Sequence, residues 1–333
     1  MLTCVSFLSD GVFHLSHATN ISREGRRRET RYEAALAGRG VACVASQSSL
    51  LHDPAQLELS AGFRGGHWGT LMPFLKACRA QLGAPRVPPR RSDTFCLLEG
   101  MRGPDAPPSS TAVDALDMAV VRGRDDWPAR ILETFQMSEE GALRDMNGFF
   151  EGTSGLAKYE RERSRADIEG STSRLSAHLR IGTLSPNELY YKTEASGLDY
   201  DDRKTFSRRL IWRDLAYFHL LTFPEMRDMS IRRHYEDTEW CSGEEEERRF
   251  EAWKLGRTGF PLVDAGMREL YATGWMTQSV RMVVASFLVE SLRVNWVKGC
   301  SWFHYVLADA DSAINPMMVR LLNARPILAL LFG

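Results

Sequence analysis

Gly170-Ser171-Thr172-Ser173-Arg174-Leu175-Ser176 runs straight into Ala177-His178-Leu179, and this stretch opens the part of the chain whose reading decides the fold. Hydroxyl residues stand where a helix would begin, with one arginine among them. Free N–H groups at a helix N-terminus, hydroxyl donors and a guanidinium together suit a phosphate. The plainer reading is an ordinary Ser/Thr cap on a helix. These residues alone leave both open.

Working outward, the pattern from Trp127 onward is helical. Phe206, Leu210, Trp212, Arg213, Tyr217 and Leu221 mix an apolar stripe with charge. Val280 to Leu292 is nearly all apolar apart from Glu290, and reads as a helix buried on most sides. A charge at Arg281 inside that helix needs a partner, because an unpaired buried ion is costly. Asp309 is a reasonable one, and a purely structural salt bridge is the plainer account. Asp309 and Asp311 lie two apart, so they do not share a helix face and are expected on a turn or helix start. Trp275 to Met282, after Ala272-Thr273-Gly274, ends one helix at a glycine and begins another, a natural place for a pocket wall. Six of the eight tryptophans (Trp212, Trp240, Trp253, Trp275, Trp296 and Trp302) fall in this region and concentrate core energy there.

Toward the N-terminus the pattern changes. Glu29 to Leu36 reads as a short helix, Val41 to Ala45 as a buried strand, and Trp68 to Ala80 as a helix with Pro73 near its first turn. One strand makes no sheet, so this opening looks incomplete as an independent α/β domain. Pro85, Pro88, Pro89, Pro104, Pro107 and Pro108 mark a linker. The pattern predicts an α/β remnant over 1–83, a Pro-rich linker over 84–125 and a helical domain from 126.

Composition bounds the function. The chain has 333 residues, 44% hydrophobic and 26% charged, which excludes disorder throughout. No run of about 18 uncharged apolar residues occurs, so no membrane span is expected. Forty-two Lys+Arg against 43 Asp+Glu leave a net charge of −1, so only a local patch could speak for nucleic acid. Arg203, Lys204, Arg208, Arg209 and Arg213, followed by Arg227, Arg232 and Arg233, form such a cluster, diluted by acids. It reads as a solvated face or, more sharply, as a nucleic-acid footprint. Glu244 to Glu247 reads as the acidic start of a helix. Six cysteines without a CxxC pair point to reduced thiols and to no metal site. GxSxG, Walker A and HExxH patterns are absent.

The chain resembles the photolyase/cryptochrome family. The matching blocks are Thr172-Ser173-Arg174-Leu175-Ser176, Leu179 to Pro186, Leu210-Ile211-Trp212-Arg213-Asp214, Thr258 to Arg268, Thr273-Gly274-Trp275-Met276, Arg281-Met282, Ala285 to Val289 and Asp309-Ala310-Asp311. They occur in family order and spacing over about 145–318, with weaker similarity through 26–80. The resemblance implies that the helical domain spans 126–318 and is followed by a divergent tail over 319–333.

The resemblance implies a mainly α fold: a helical FAD-binding domain preceded by a partial, Rossmann-like α/β domain. It implies that Tyr159, Thr172, Ser173, Arg174, Leu175 and Ser176 line the FAD phosphates and ribityl chain, with Arg213 beside the cofactor. Trp275 and Gln278 would face the pocket opening. Arg281 would pair with Asp309 near the ring system, Asp311 would contact its edge, Asn315 would face flavin N5, and Phe303 would pack on the cofactor. Trp240 and Trp296 would be the outer and middle members of an electron-carrying tryptophan chain. Arg209, Gln278 and Met282 would face DNA.

Four positions depart from the family pattern. Arg209 stands where dimer-repairing members carry a glutamate. Gln278-Ser279 replaces an Asn-Arg pair, and Val319 falls at the flavin-proximal tryptophan. Arg209 and Gln278-Ser279 favour a cryptochrome-like blue-light photoreceptor working by light-driven flavin reduction, whereas Val319, which cannot carry an aromatic radical, favours an inactive product. The alternatives are a DNA photolyase that repairs pyrimidine dimers by electron transfer from excited reduced FAD, and an inactive truncated product. If the chain is an enzyme, it is expected to be a deoxyribodipyrimidine photo-lyase. Damaged DNA or signalling proteins are the implied partners, in a soluble intracellular setting.

Overall fold

The computed structural model describes residues 4–7, 13–16, 30–31, 34–35, 49–59, 66–88, 127–152, 155–230 and 238–323. Strand β1 (Cys4–Phe7) pairs antiparallel with β2 (Phe13–Ser16), Cys4 opposite Ser16 and Phe7 opposite Phe13. This hairpin lies in the N-terminal stretch to which the patterning assigned no strand. Thr30, Arg31, Ala34 and Ala35 are helical, within the expected short helix. The expected strand Val41 to Ala45 and most of the linker lie outside the described residues, as do Arg232 and Arg233.

Helix α1 (Leu71–Gln81) begins three residues later than the pattern suggested, because Thr70 is still extended. Pro73 sits in its first turn, where a missing N–H costs no helical bond. The rest is helical: α2 (Trp127–Thr134), α3 (Glu139–Glu151), α4 (Leu156–Glu162), α5 (Ser176–Ile181), α6 (Pro186–Glu194) and α7 (Tyr200–Thr222). Then come α8 (Gly243–Lys254), α9 (Pro261–Thr273), α10 (Gln278–Ser286), α11 (Trp296–Val306) and α12 (Ile314–Asn323). Local chemistry sets several ends. Ser138 Oγ accepts from Gly141 N at 3.0 Å and starts α3. Gly274, at φ 69°, stops α9 in a left-handed turn that a side chain would strain. The acidic run Glu244 to Glu246 occupies the first turn of α8, where the helix dipole favours it.

Two apolar clusters hold these helices. The first surrounds α7 through Leu210, Ile211, Leu215 and Leu220, and takes in Leu50, Leu51, Phe74 and Leu75 from the N-terminal segment, with Leu175, Leu189 and Met317. Residues on both sides of the proline-rich stretch therefore share one core. The second cluster is built on Trp253, with Met267, Leu270, Met276, Val280, Val284, Leu288, Trp296 and Phe303. Each fully buried Leu or Val adds about 1.5–3 kcal/mol to such a core.

The apolar stretch Val280 to Leu292 is not one regular helix. It is α-helical to Ser286 and then makes a π-helical turn over Phe287–Ser291. The wider turn buries Leu288 and Val289, closes with Leu292 N donating to Phe287 O at 3.0 Å, and is followed by Arg293 at φ 56°. Apolar periodicity does not separate a 3.6-residue turn from a single wider one.

Candidate functional site

A cleft of about 230 Å³, open to solvent at its mouth, runs between the two clusters. Small-molecule and cofactor sites are concave clefts with apolar walls and a few convergent polar groups. Its walls come from four places. Tyr159 and Arg163 lie at α4, four residues apart and so on one helix face. Thr172 to Ser176 come from the connection into α5, Arg209, Leu210 and Arg213 from α7, and Trp275, Met276, Gln278 and Arg281 from the junction of α9 and α10. Asp309, Ile314 and Asn315 complete the lining.

The hydroxyl-rich stretch does not cap α5 in the expected way. The N-cap is Leu175, in helical backbone, with no side-chain hydrogen bond to the helix N–H groups. Arg174 adopts φ 52°, a left-handed conformation that is uncommon outside glycine. Its guanidinium lies 4.7 Å from the centre of the Trp275 ring. Thr172, Ser173 and Ser176 are thereby left on the cleft wall. Ser173 Oγ accepts only a long bond of 3.4 Å from Leu175 N.

Arg281 and Asp309 form the expected pair as a two-pronged fork, Nη1 to Oδ1 at 3.0 Å and Nη2 to Oδ2 at 2.9 Å. Arg281 Nε also donates to Met276 O at 2.7 Å, which ties the fork to the α9–α10 junction. Asp309 and Asp311 lie, as expected, on the turn before α12.

Asp311 turns away from the cleft, whose lining it does not join. Its Oδ1 accepts from Ala313 N at 2.8 Å and Ile314 N at 3.0 Å, which caps α12, and its Oδ2 accepts from Tyr217 Oη at 3.0 Å. A buried carboxylate with these partners has little capacity left for a ligand. Arg213 stands 3.7 Å from the same Oδ2 and donates to Ser49 O and Leu179 O at 3.0 and 3.1 Å.

Two buried polar atoms on the lining have no partner, Asn315 Nδ2 and Arg163 Nε. Native interiors rarely leave such donors unmet unless something else meets them. The lining also carries five arginines against the single carboxylate of Asp309. Among the described residues, no carboxylate forms an ion pair with Arg163, Arg174 or Arg209. Burial pushes the Tyr159 phenol up from its ordinary value, while the guanidiniums of Arg209 and Arg163 oppose the shift. Burial likewise raises the Glu269 carboxyl, against the pull of Arg174 and Arg281. The cleft is a cationic trough with apolar walls, suited to a ligand with an anionic linker and a flat apolar end. A dinucleotide carrying a pyrophosphate fits that description.

A smaller annex of about 50 Å³ adjoins the cleft and is lined by Met282, Phe303, Leu307 and Met318 beside Gln278 and Asn315. Trp240 and Trp296 line neither space. Trp296 is buried in the Trp253 cluster and Trp240 packs against it. Val319 lies on α12. Arg163 was missed in the sequence because no matching block covers it. Its i+4 spacing from Tyr159 was the available signal.

The basic cluster on α7 also resolves. Arg203 pairs with Glu194 and Lys204 with Asp201, while Arg209 and Arg213 turn into the cleft. Of the cysteines, Cys78, Cys241 and Cys300 are free thiols. Among the described residues, no group of three or more His, Cys, Asp or Glu could hold a metal ion, and no helix is long and apolar enough to cross a membrane.

Fold and site together define a helical dinucleotide-binding domain of the flavoprotein class. Residues 206–325 match the family described as the FAD binding domain of DNA photolyase. Both this match and α12 pass the boundary expected at 318. A deoxyribodipyrimidine photo-lyase of Agrobacterium fabrum is 31% identical over 280 residues, covering 83% of this chain and 54% of the relative. The Escherichia coli enzyme of that name is 35% identical over 198 residues, covering 57% of this chain and 40% of its own. A class III photolyase from Agrobacterium tumefaciens superposes with a TM-score of 0.78 at 29% identity, over 94% of this chain and 61% of that one. A Synechocystis cryptochrome shares the fold, with a TM-score of 0.70 at 23% identity, over 93% of this chain and 61% of its own. The chain belongs to the photolyase/cryptochrome family, and FAD is the cofactor of the domain it carries. It spans about half the length of the first of these curated relatives.

Proposed function

We propose that the chain holds FAD in this cleft and acts as a light-driven photolyase on pyrimidine dimers in DNA. One observation carries the cofactor reading. Three guanidiniums with no carboxylate partner among the described residues (Arg163, Arg174 and Arg209) and the unpartnered Asn315 Nδ2 converge on one cleft beside the Arg281–Asp309 fork. When bound, the flavin supplies a light-excited electron donor, and the protein orients it and sets its electrostatics.

Thr172, Ser173 and Ser176 offer hydroxyls to the pyrophosphate, with Arg163 and Arg174 neutralising it. Arg213, held by two backbone carbonyls, lies beside the cofactor. Asn315 donates its free Nδ2 proton to the ring edge. The Arg281–Asp309 fork keeps one fixed positive and one fixed negative group near the ring in a water-poor setting, where each acts strongly. Trp275 walls the mouth. Phe303 and Met282 fill the annex that a flipped-out nucleotide would approach, since chemistry on a base requires taking it out of the stack. Arg209 and Gln278 stand at that mouth as DNA contacts.

The names of the relatives favour repair over the photoreceptor reading that the departures suggested. Arg209 still argues for signalling, because a guanidinium replaces an acceptor at the mouth. The test is flavin release from purified protein, followed by blue-light repair of dimer-containing DNA. Near-stoichiometric FAD with repair supports the proposal. FAD without repair leaves the photoreceptor reading, and absence of FAD removes both.

A further inference from the structure

Arg213 reaches the cleft from α7, and one of the two carbonyls that hold it comes from more than 150 residues away in the chain. Its Nε donates to Ser49 O at 3.0 Å, so a carbonyl of the N-terminal segment fixes the plane of the guanidinium. The next residue on α7, Asp214, is fully buried and points at the same segment. Its carboxylate accepts from Leu51 N and His52 N at 3.0 Å each, and faces His52 Nδ1 at 3.2 Å. The other ring nitrogen, Nε2, stands 3.3 Å from Gly83 O. Leu50 and Leu51 are buried in the α7 cluster on either side of these bonds, and Asn187 Nδ2 donates to Leu50 O at 3.4 Å.

We propose that Asp214 is a positioning residue: by clamping the strap Ser49 to His52 onto α7, it places the Ser49 carbonyl that orients Arg213 in the cleft. Consecutive helix positions project about 100° apart. Asp214 therefore grips the strap from one side while Arg213 reaches round to the strap carbonyl and on to the ligand. An arginine side chain is long and rotamer-rich, so fixing it in advance favours ligand retention. A segment distant in sequence thereby serves as part of the cleft's frame.

The test uses the full chain with nitrogen-15 arginine. The Arg213 Nε–H resonance is assigned by its loss in Arg213→Lys. In Asp214→Asn and His52→Asn, its protection against hydrogen exchange is expected to drop about tenfold or more, since exchange reads local opening. This arm needs no flavin. In the second arm, which alone rests on the cofactor reading, Asp214→Asn releases bound FAD about tenfold faster. That acceleration disappears in the Arg213→Lys background, because residues acting through one another are not additive. Unchanged Nε–H protection in both variants overturns the proposal. So does an equal acceleration in both backgrounds, which marks Asp214 as a structural tie only. If Asp214→Asn does not fold, His52→Asn, which removes the ring contacts and keeps both backbone bonds to Asp214, gives the same decision. A wild-type chain that binds no FAD sinks the cofactor reading and leaves the exchange arm to decide the strap.

Discussion

The cluster around α7 is threaded with buried polar side chains, whereas the cluster around Trp253 is nearly free of them. In the first, His52, Arg213, Asp214, His219 and Asp311 are all buried, and each has a hydrogen-bonding partner. In the second, Trp253 Nε1 spends its one proton on Val284 O at 2.9 Å, and Asp264 sits at the margin accepting from Thr258 and Gly259. A buried polar group costs free energy unless paired, so the α7 half tolerates few alternative arrangements. Apolar packing is non-directional and tolerates more. One half of the cleft is thus built for orientation and the other for bulk stability, and the ligand wall is drawn from both.

The largest expected effect tests the stability half. Trp253→Ala removes the most bulky fully buried side chain among the described residues and its bond to Val284 O, at a cost of about 3–5 kcal/mol in urea unfolding. The flavin spectrum of whatever remains folded should keep its wild-type shape. A changed spectrum at full helicity would break the division between the halves.

Next is the seam itself. Asp309→Ala leaves Arg281 partly buried without its fork partner and is expected to cost about 3 kcal/mol. Here flavin content should fall more steeply than stability. Equal loss of both would reduce the fork to a structural salt bridge.

Each half also carries a buried thiol that reports its own opening. Burial pushes Cys78, in the α7 cluster, up to about 12, and Cys300, in the Trp253 cluster, up to about 11. Only the thiolate alkylates readily, so both should label far more slowly than half-buried Cys241 when sites are read by peptide mapping. FAD addition should slow Cys78 more than Cys300 if the polar half is the one the ligand orders. Equal slowing would merge the two halves into one cooperative unit.

The smallest effect lies on the surface of the Trp253 half. Hydrogen bonds from Arg248 and then Arg249 hold the exposed Glu245 carboxyl down at about 2, against an ordinary 4.5. A depressed folded value means that its contribution is present above pH 4.5 and is lost as the pH falls toward about 2. Glu245→Gln should flatten only that acid limb, and NMR titration reads the carboxyl directly. A titration at its ordinary value would show that the two arginines are not in place.

Much of this architecture was legible from residue spacing. The acidic start of α8, the glycine stop of α9 and the wall at Trp275 to Gln278 depend on neighbours three or four residues apart, which a linear pattern records. The Arg281–Asp309 pair was legible for a different reason. A charge inside an apolar run demands a partner, and the chain offered one nearby. The hydroxyl stretch was left open between a cap and a ligand wall, and the structure gives the cap position to Leu175 because Arg174 turns left-handed. Its composition suits a cap and a ligand wall equally well.

The sequence by itself therefore determined a helical domain, its family and most of the side chains that meet at the cleft. These follow from periodicity, local chemistry and motif order. Tertiary structure alone decided that Asp311 meets Tyr217 and the start of α12. It alone joined Arg163 to the lining and opened a π-helical turn at Phe287. It also brought His52 onto Asp214 across 162 positions of chain. Such choices depend on which surfaces close against one another and which buried donors then need an acceptor, and no local pattern encodes that.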